Sequence, residues 1–476
     1  MTMNADVPLY IGGSWRKTVE TLPIINPATE DVVGTVAVAG PQDLEDALAA
    51  AAEGFRTWSR TSPWKRSEII LKASALMRER SEEIARSITV ENGKSLTEAR
   101  LEVIRGCEFF EWDAGECVRL YGRVIPSEPG IRYVVVHEPI GPVAAFSPWN
   151  FPMSQPARKI AGAIASGCSV IMKASEETPS GVMHIAKALE DAGLPAGVLN
   201  LVFGIPARIS EFLIPRHEIR MIAFTGSTAV GKHLTEIAAR HMKPALMELG
   251  GHAPVIVCDD ADPIAAGITC ATRKYRNSGQ VCTSPTRFFV HENVYERFTA
   301  AFVEKAQSIK VGNGIDPATD MGPVANDRRI EALQILVDDG RAKGAKVLCG
   351  GHRLEKRGYF FAPTAMTELP DDACAMREEP FGPLALINPV RSIDEALEKA
   401  NSLPFGLAAY GFARSAANVD RIVRGLEAGN VSINTLEASR AETPFGGVKE
   451  SGLGREGGAE GIIHYTIVKN ISHLVE

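Results

Sequence analysis

The chain lacks the cysteine and histidine spacing of a metal or disulfide protein. Its eight cysteines include no C-x-x-C pair, the nearest two being Cys107 and Cys117, and its ten histidines form no H-E-x-x-H. A disulfide framework, a zinc ribbon and a zincin are therefore excluded, and no metal is expected. The same cysteine usage suits a reducing compartment. The first residues, M-T-M-N-A-D-V-P-L-Y, have neither the basic start nor the apolar core of a signal peptide. A cytoplasmic location is the expectation. Long apolar runs are missing as well. The most apolar stretch, Ile160 to Met172, is interrupted by Gly162, Ser166, Gly167 and Ser169 and lies between Lys159 and Lys173. It is predicted as a buried helix leading into a strand, not a membrane span. No long basic run is present, and a net charge of -7 argues against nucleic acid or a membrane surface as partner. Internal repeats, low-complexity segments and the G-x-G-x-x-G dinucleotide fingerprint are also absent.

What remains is an ordinary globular composition, 45% hydrophobic and 23% charged, in 476 residues, which is enough for two or three domains. The segment P-L-Y-I-G-G-S-W-R predicts a hairpin around its Gly-Gly turn. Three helices are expected next. The first two carry Leu44, Ala47, Leu48, Ala51 and Phe55, then Ile69, Ala73, Leu76 and Met77; the third begins after Gly93, with Leu101, Ile104 and Phe109 on its core face. A lone alternating strand is predicted at Ile131–Glu138. Short apolar runs at Val143–Ser147, Ser169–Lys173, Leu199–Phe203 and Met221–Thr225 alternate with helical or turn-rich segments. That pattern predicts βαβ units and a parallel sheet, with ligands outside the carboxyl ends of its strands, near 148–152, 173–179, 204–207 and 226–231. A second α/β run begins near Ala253, and the C-terminal tail is strand-like with no local partner.

Several motifs sit where that architecture puts chemistry. Cys282 lies in Y-R-N-S-G-Q-V-C-T-S-P-T-R, a polar, turn-forming stretch flanked by Arg276 and Arg287, whose charge would lower a thiol's pKa. Phe224–His233 has the spacing G-x-x-x-x-G-K, but His233 replaces the hydroxyl a Walker A loop needs. Gly226 and Ser227 then mark either a phosphate site at a helix N-terminus or a tight turn. In K-A-S-E, Glu176 follows a strand, where a carboxylate can accept ribose hydroxyls and disfavour a 2′-phosphate, or simply be solvated. Glu248, in M-E-L-G-G, is a candidate general base or a satisfied buried carboxylate. Asn150, in S-P-W-N-F-P, is an oxyanion donor or part of a rigid turn.

In order, S-P-W-N-F-P, K-A-S-E-E-T-P, F-T-G-S, M-E-L-G-G, G-Q-V-C, E-E-P-F-G-P and P-F-G-G-V-K-E-S-G-L-G-R-E make nearly the whole chain resemble the NAD(P)-dependent aldehyde dehydrogenase superfamily, most closely its succinate-semialdehyde branch. The resemblance implies an α/β fold with a Rossmann-like cofactor domain (1-116 and 139-248), a catalytic α/β domain (249-445) and a small β oligomerisation element (117-138 and 459-476), whose tail would add a strand across a subunit interface in a homodimer or homotetramer. It implies that Cys282 is the nucleophile, that Asn150 holds the oxyanion and that Glu248 activates water. Trp149, Lys173, Glu176, Gly226, Ser227, Leu249, Glu379 and Phe381 would bind NAD, with NADP not excluded, and Glu456 matches a proton-relay position. Arg158, Arg276 and Ser439 would bind the distal carboxylate of succinate semialdehyde, while Glu437 and Glu442 could oppose that contact. The alternatives are an aromatic or aminoalkyl aldehyde on the same fold, or a cysteine esterase or thioester hydrolase. Lys173 is followed by Ala174 where relatives commonly carry proline. Ser284 takes a position that is cysteine in some relatives, so no redox switch is expected there.

Overall fold

The computed structural model describes residues 5–475. Two large sheets carry the architecture. The first has eight strands, in the order Gly452–Leu453, Ala245–Glu248, Met221–Thr225, Val143–Phe146, Val170–Lys173, Leu199–Val202, Leu9–Ile11 and Ser14–Arg16. Its five central strands are parallel. They are near-continuous apolar runs because helices cover both faces, so every residue from Val143 to Phe146 and from Val170 to Lys173 is buried. The parallel part of this sheet begins at Val143–Phe146, moves outward through two strands, then crosses back to Met221–Thr225 on the other side. That reversal opens a crevice at the carboxyl ends of the central strands. The hairpin Leu9–Ile11/Ser14–Arg16 forms its far edge, as its Gly-Gly turn predicts.

The second sheet runs Lys346–Cys349, Thr364–Thr367, Leu384–Val390, Arg287–His291, Pro254–Val257, Ala408–Phe412 and Asn430–Ile433, parallel except at its first pair. Near the C-terminus the chain returns to the first sheet, where Gly452–Leu453 pairs with Met247 and Glu248.

The tail Thr466–Leu474 pairs antiparallel with Ile131–Pro139 over its whole length, and Arg123–Ile125 completes a three-stranded sheet. Its backbone groups on that side are thus satisfied within one chain, where the sequence suggests a neighbouring subunit. The sheet leaves Val124, Ile131, Val468 and Leu474 exposed. No helix of the described residues is long and apolar enough to cross a membrane.

Two helical expectations need correction. Four helices, not three, precede the first central strand: Pro41–Trp58, Pro63–Glu79, Ser81–Asn92 and Leu96–Cys117. In the last of these, Phe109 is buried as expected, but Leu101 and Ile104 are exposed; the rest of the buried stripe includes Ala99, Val103, Gly106, Cys107 and Phe110. Small residues let this helix approach helix Ser154–Ser166, and there a Cβ on Gly106 would already press on Met153 at 3.2 Å.

Candidate active site

Helix Pro263–Lys274 starts on Asp262, whose carboxylate accepts the Ile264 and Ala265 N–H groups. It ends in a tight turn where Asn277, Ser278 and Gly279 all have positive φ, at 45°, 55° and 70°. Such backbone costs energy in non-glycine residues and persists only where its surroundings hold it. Here the Asn277 N–H donates to Glu98 (2.9 Å), the Asn277 amide to the Asn150 carbonyl (3.0 Å) and the Ser278 hydroxyl to the Gly322 carbonyl (2.8 Å). Gly279 has no substitute, since a Cβ there would stand 2.0 Å from the Gly382 carbonyl oxygen. The turn delivers Cys282 to a narrow cavity of about 70 Å³, whose walls include Phe109, Phe151, Phe445, Ser439 and four arginines: Arg105, Arg158, Arg273 and Arg276.

Asn150 is buried beside this turn, with one side-chain N–H donating to the Gln280 carbonyl at 3.0 Å. An amide nitrogen carries two hydrogens, so a second donor remains. Glu248 ends strand Ala245–Glu248, and neither of its carboxyl oxygens has a hydrogen-bond partner. Burial first, then repulsion from Glu456, holds this carboxyl well above the usual carboxylate range, against the pull of Lys159 and Arg158.

The thiol differs from its sequence reading. Burial pushes Cys282 up to about 12; Glu379 and Glu248 add to the rise, and Arg158 opposes it. Neither flanking arginine lowers it. Arg287 turns away to donate to the carbonyls of His252, Lys399 and Ala400, and Arg276 lies beside Glu98 at 3.5 Å. For Arg287, adjacency in sequence did not become adjacency in space; Arg276 does share the Cys282 cavity.

Behind Glu248 lies a buried ion pair, Lys159 to Glu456 at 2.6 Å, with Lys159 also donating to Thr225 at 2.5 Å. Removing one partner strands the other charge in the interior. Lys159→Met is expected to lower unfolding free energy by about 3–5 kcal/mol in urea titration, and the double variant Lys159→Met/Glu456→Gln to recover most of it. Equal losses in the single and double variants would refute the pairing.

A second cavity, about 820 Å³, opens at the crevice of the first sheet, and Trp149, Lys173, Glu176 and Gly226 line it. Trp149 faces this cleft while Phe151 faces the Cys282 pocket, so the Trp149–Phe151 segment divides the two. Glu176 pairs with Lys173 at 2.6 Å. Ser227 caps helix Thr228–Arg240 through the Val230 N–H, a long contact at 3.5 Å. Leu249 packs its side chain on that helix, leaving no room for a Cβ at Gly231. Glu379 and Phe381 come from the second sheet's side. Glu379 is half-buried, and desolvation pushes its carboxyl up to about 8. Phe381 meets Trp149 edge to face at 5.6 Å. The cleft fits a dinucleotide: its volume lies in the range of cofactor sites, a helix N-terminus stands at its floor, and glycines stand where side chains would block it. A Cβ at Gly226 would strike the Phe224 ring, and one at Gly250 would stand 2.7 Å from Glu379.

Of the expected substrate residues, Arg158 donates to the Ser439 hydroxyl, and both line the Cys282 pocket with Arg276. Glu437 is engaged by Arg440 and lies 3.7 Å from Arg105, while Glu442 is not among the pocket walls. Sequence reasoning missed Lys159, Thr225, Arg105 and Arg273. The one available signal was a charged pair, Arg158-Lys159, inside an otherwise apolar helix.

A model of the aldehyde dehydrogenase family matches residues 15–471. The chain is 44% identical over 457 residues to a putative 4-(hydroxymethyl)benzenesulfonate dehydrogenase of Comamonas testosteroni, covering 95% of each. It is 39% identical to a mitochondrial succinate-semialdehyde dehydrogenase of Oryza sativa subsp. japonica, covering 97% of this chain and 88% of that one. Its fold superposes with a TM-score of 0.97 on the NAD+ complex of an aldehyde dehydrogenase from Bacillus cereus, at 34% identity and covering 100% of this chain and 98% of the other.

Proposed function

The chain belongs to the aldehyde dehydrogenase family, and on that premise we propose that it uses NAD to oxidise an aldehyde bearing a distal anion to the carboxylic acid, succinate semialdehyde being the first substrate to test. The observation that carries the reading is the composition of one cavity: Cys282 and four arginines share its walls. Guanidinium groups bind oxyanions through charge-assisted hydrogen bonds. Both relatives' names support an anionic substrate, one a semialdehyde carrying a carboxylate and the other a hydroxymethyl compound carrying a sulfonate.

In this reading Cys282 attacks the aldehyde carbon, and the Asn150 amide and the Cys282 N–H receive the developing oxyanion. The thiol gives its proton to solvent water as the S–C bond forms, and Glu248, which its dry surroundings make a ready proton acceptor, stays unprotonated for the later step. The dinucleotide, when bound, supplies the two-electron acceptor that converts the resulting thiohemiacetal to a thioester. Glu248 then removes a proton from water as it attacks the thioester carbon. The C–S bond breaks, Glu248 returns its proton to the departing sulfur so that the thiol is restored, and the acid leaves as its carboxylate, its proton passing to solvent. Glu176 favours NAD over NADP by repelling a 2′-phosphate, a preference its Lys173 partner moderates.

Cofactor reduction, followed by absorbance over succinate semialdehyde, butyraldehyde, benzaldehyde and 4-aminobutyraldehyde, tests the reading with each cofactor. A kcat/KM for succinate semialdehyde about 100-fold above that for butyraldehyde is expected, the worth of charge-assisted hydrogen bonds to one carboxylate. Equal turnover of the neutral aldehydes would sink the anion assignment.

A further inference from the structure

The pocket beside Cys282 holds more positive charge than a two-arginine carboxylate clamp requires. Its guanidinium groups come from three helices: Arg105 from Leu96–Cys117, Arg158 from Ser154–Ser166, and Arg273 from Pro263–Lys274, with Arg276 one turn beyond. Their partners are unequal. Arg105 donates to the Ser439 carbonyl at 3.0 Å and lies 3.7 Å from Glu437, a carboxylate it shares with Arg440. Arg276 has Glu98 at 3.5 Å. Arg158 is 6% exposed, gives one arm to the Ser439 hydroxyl, and buries Nη1 with no partner at all. Arg273 makes no ion pair and no side-chain hydrogen bond among the described residues. Burial, then repulsion from Arg276 and Arg105, pushes its guanidinium down. The remaining acid on this wall, Glu102, is already bound to Lys94 at 2.5 Å. Glu456, Glu248 and Asp113 also act on Arg158 from a distance, but none forms an ion pair with it and Glu456 is paired with Lys159. In direct contact with the four guanidinium groups are two carboxylates, Glu98 and Glu437, and Arg440 shares the second. Like charges crowd together in a half-buried cavity only where an opposite charge joins them.

We infer that Arg273 is a specificity-determining residue, and that with Arg158 and Arg276 it grips a three-oxygen anion, a sulfonate, at the far end of the aldehyde. The inference rests on the reading of the Cys282 pocket as the site of an anion-bearing aldehyde. A carboxylate offers two oxygens in one plane, which one or two guanidinium forks saturate. The guanidinium groups here are carried on different helices, so they reach the cavity from more than one direction. Arg273 and Arg276, three residues apart, share one side of the pocket, and Arg158 with the Ser439 hydroxyl stands on another element. A sulfonate sets three oxygens on a pyramid and gives each direction its own acceptor. It also keeps its charge throughout the working pH range.

The test is steady-state kinetics on two matched sets. One is 3-oxopropane-1-sulfonate, succinate semialdehyde and butyraldehyde; the other is 4-formylbenzenesulfonate, 4-formylbenzoate and benzaldehyde. Wild type, Arg273→Met and Arg273→Lys are compared. The expected result is a sulfonate preference of about tenfold or more in kcat/KM over the matching carboxylate in at least one set, corresponding to one further hydrogen bond to a charged group. Arg273→Met should raise KM for that sulfonate about 100-fold with kcat within about threefold, and Arg273→Lys should recover part of the loss. The neutral aldehydes should lose much less kcat/KM than the sulfonate in both variants, and circular dichroism of each variant checks that it folds. Carboxylates used as well as sulfonates in both sets, or an Arg273→Met loss shared equally by the neutral aldehydes, would overturn the inference and leave the anionic-aldehyde reading standing. Wild type that prefers neither anion to its neutral partner would take down both.

Discussion

Glu248→Gln is expected to give one turnover and then stop. Mixing this variant with NAD and a good aldehyde substrate should produce a burst of NADH close to one equivalent per active site, followed by a steady rate about 10²- to 10⁴-fold below wild type, the usual contribution of a positioned base. The acyl group should stay on Cys282, and intact-mass measurement should show the protein heavier by the acyl increment. The reasoning starts from the carboxyl's surroundings. Both its oxygens are buried without partners, and burial and Glu456 keep it far above the usual carboxylate range. A group so placed takes up a proton readily, as activating water on a thioester requires. Glutamine keeps the volume and loses the base. Stability should not suffer, because the change removes a carboxyl that Glu456 repels. A linear progress curve with no burst would show that Glu248 acts before the thioester, as the sole route for the thiol's proton.

Cys282→Ala is expected to abolish aldehyde oxidation, by roughly 10⁵- to 10⁶-fold in kcat, the order seen when a covalent nucleophile is removed. Its fold should be retained, because Cys282 sits on a turn fixed by other groups: Glu98, Asn150 and the Gly322 carbonyl hold Asn277 and Ser278, and none contacts the thiol. A companion result concerns reactivity. With the thiol pushed up to about 12, iodoacetamide should alkylate wild-type protein slowly at neutral pH, and the rate should rise about tenfold per pH unit, since the thiolate is the reacting species. Fast, pH-independent alkylation would mean that the pocket ionises the thiol already. Residual oxidation within about tenfold of wild type in Cys282→Ala would assign the nucleophile elsewhere.

The parts of the fold that were readable in sequence are those where burial leaves an unmistakable pattern. Val143–Phe146, Val170–Lys173, Leu199–Val202 and Met221–Thr225 read as strands because both their faces are covered. Helix Ser81–Asn92 escaped because only Arg80 separates it from the helix before, and its buried face includes polar Ser87, Thr89, Glu91 and Asn92. The core face of Leu96–Cys117 was misread for a related reason. Close helix packing selects alanine, glycine and cysteine, which a search for large apolar residues passes over. Strand Ala245–Glu248 was visible only as a motif around its last residue.

The candidate site shows the same division. Residues in irregular, glycine- and proline-rich segments stand out, because such segments exist to aim a group: Asn150, Cys282 and Glu379 are examples. Charged residues on regular helices do not, because the ordinary fate of a helical lysine or arginine is solvent. Lys159 and Arg273 differ from that fate only through contacts with residues far along the chain, and no local pattern records them. Arg287 is the converse case. Its position five residues from Cys282 suggested an electrostatic role, yet its side chain serves carbonyl groups at Lys399 and Ala400.

The turn that carries Cys282 has a consequence for how this scaffold can diversify. Gly279 cannot accept a Cβ against Gly382, and Asn277 and Ser278 are locked by partners from three other segments. A mutational library built across 276–282 would therefore return mostly dead clones from its 277–279 positions. Arg105, Arg158 and Arg273, by contrast, sit on three helices and make none of the hydrogen bonds that hold this turn. On the proposed reading, selectivity and reactivity are encoded in separately mutable parts, so a lineage could exchange one substrate tail for another in a few steps while its chemistry stays fixed.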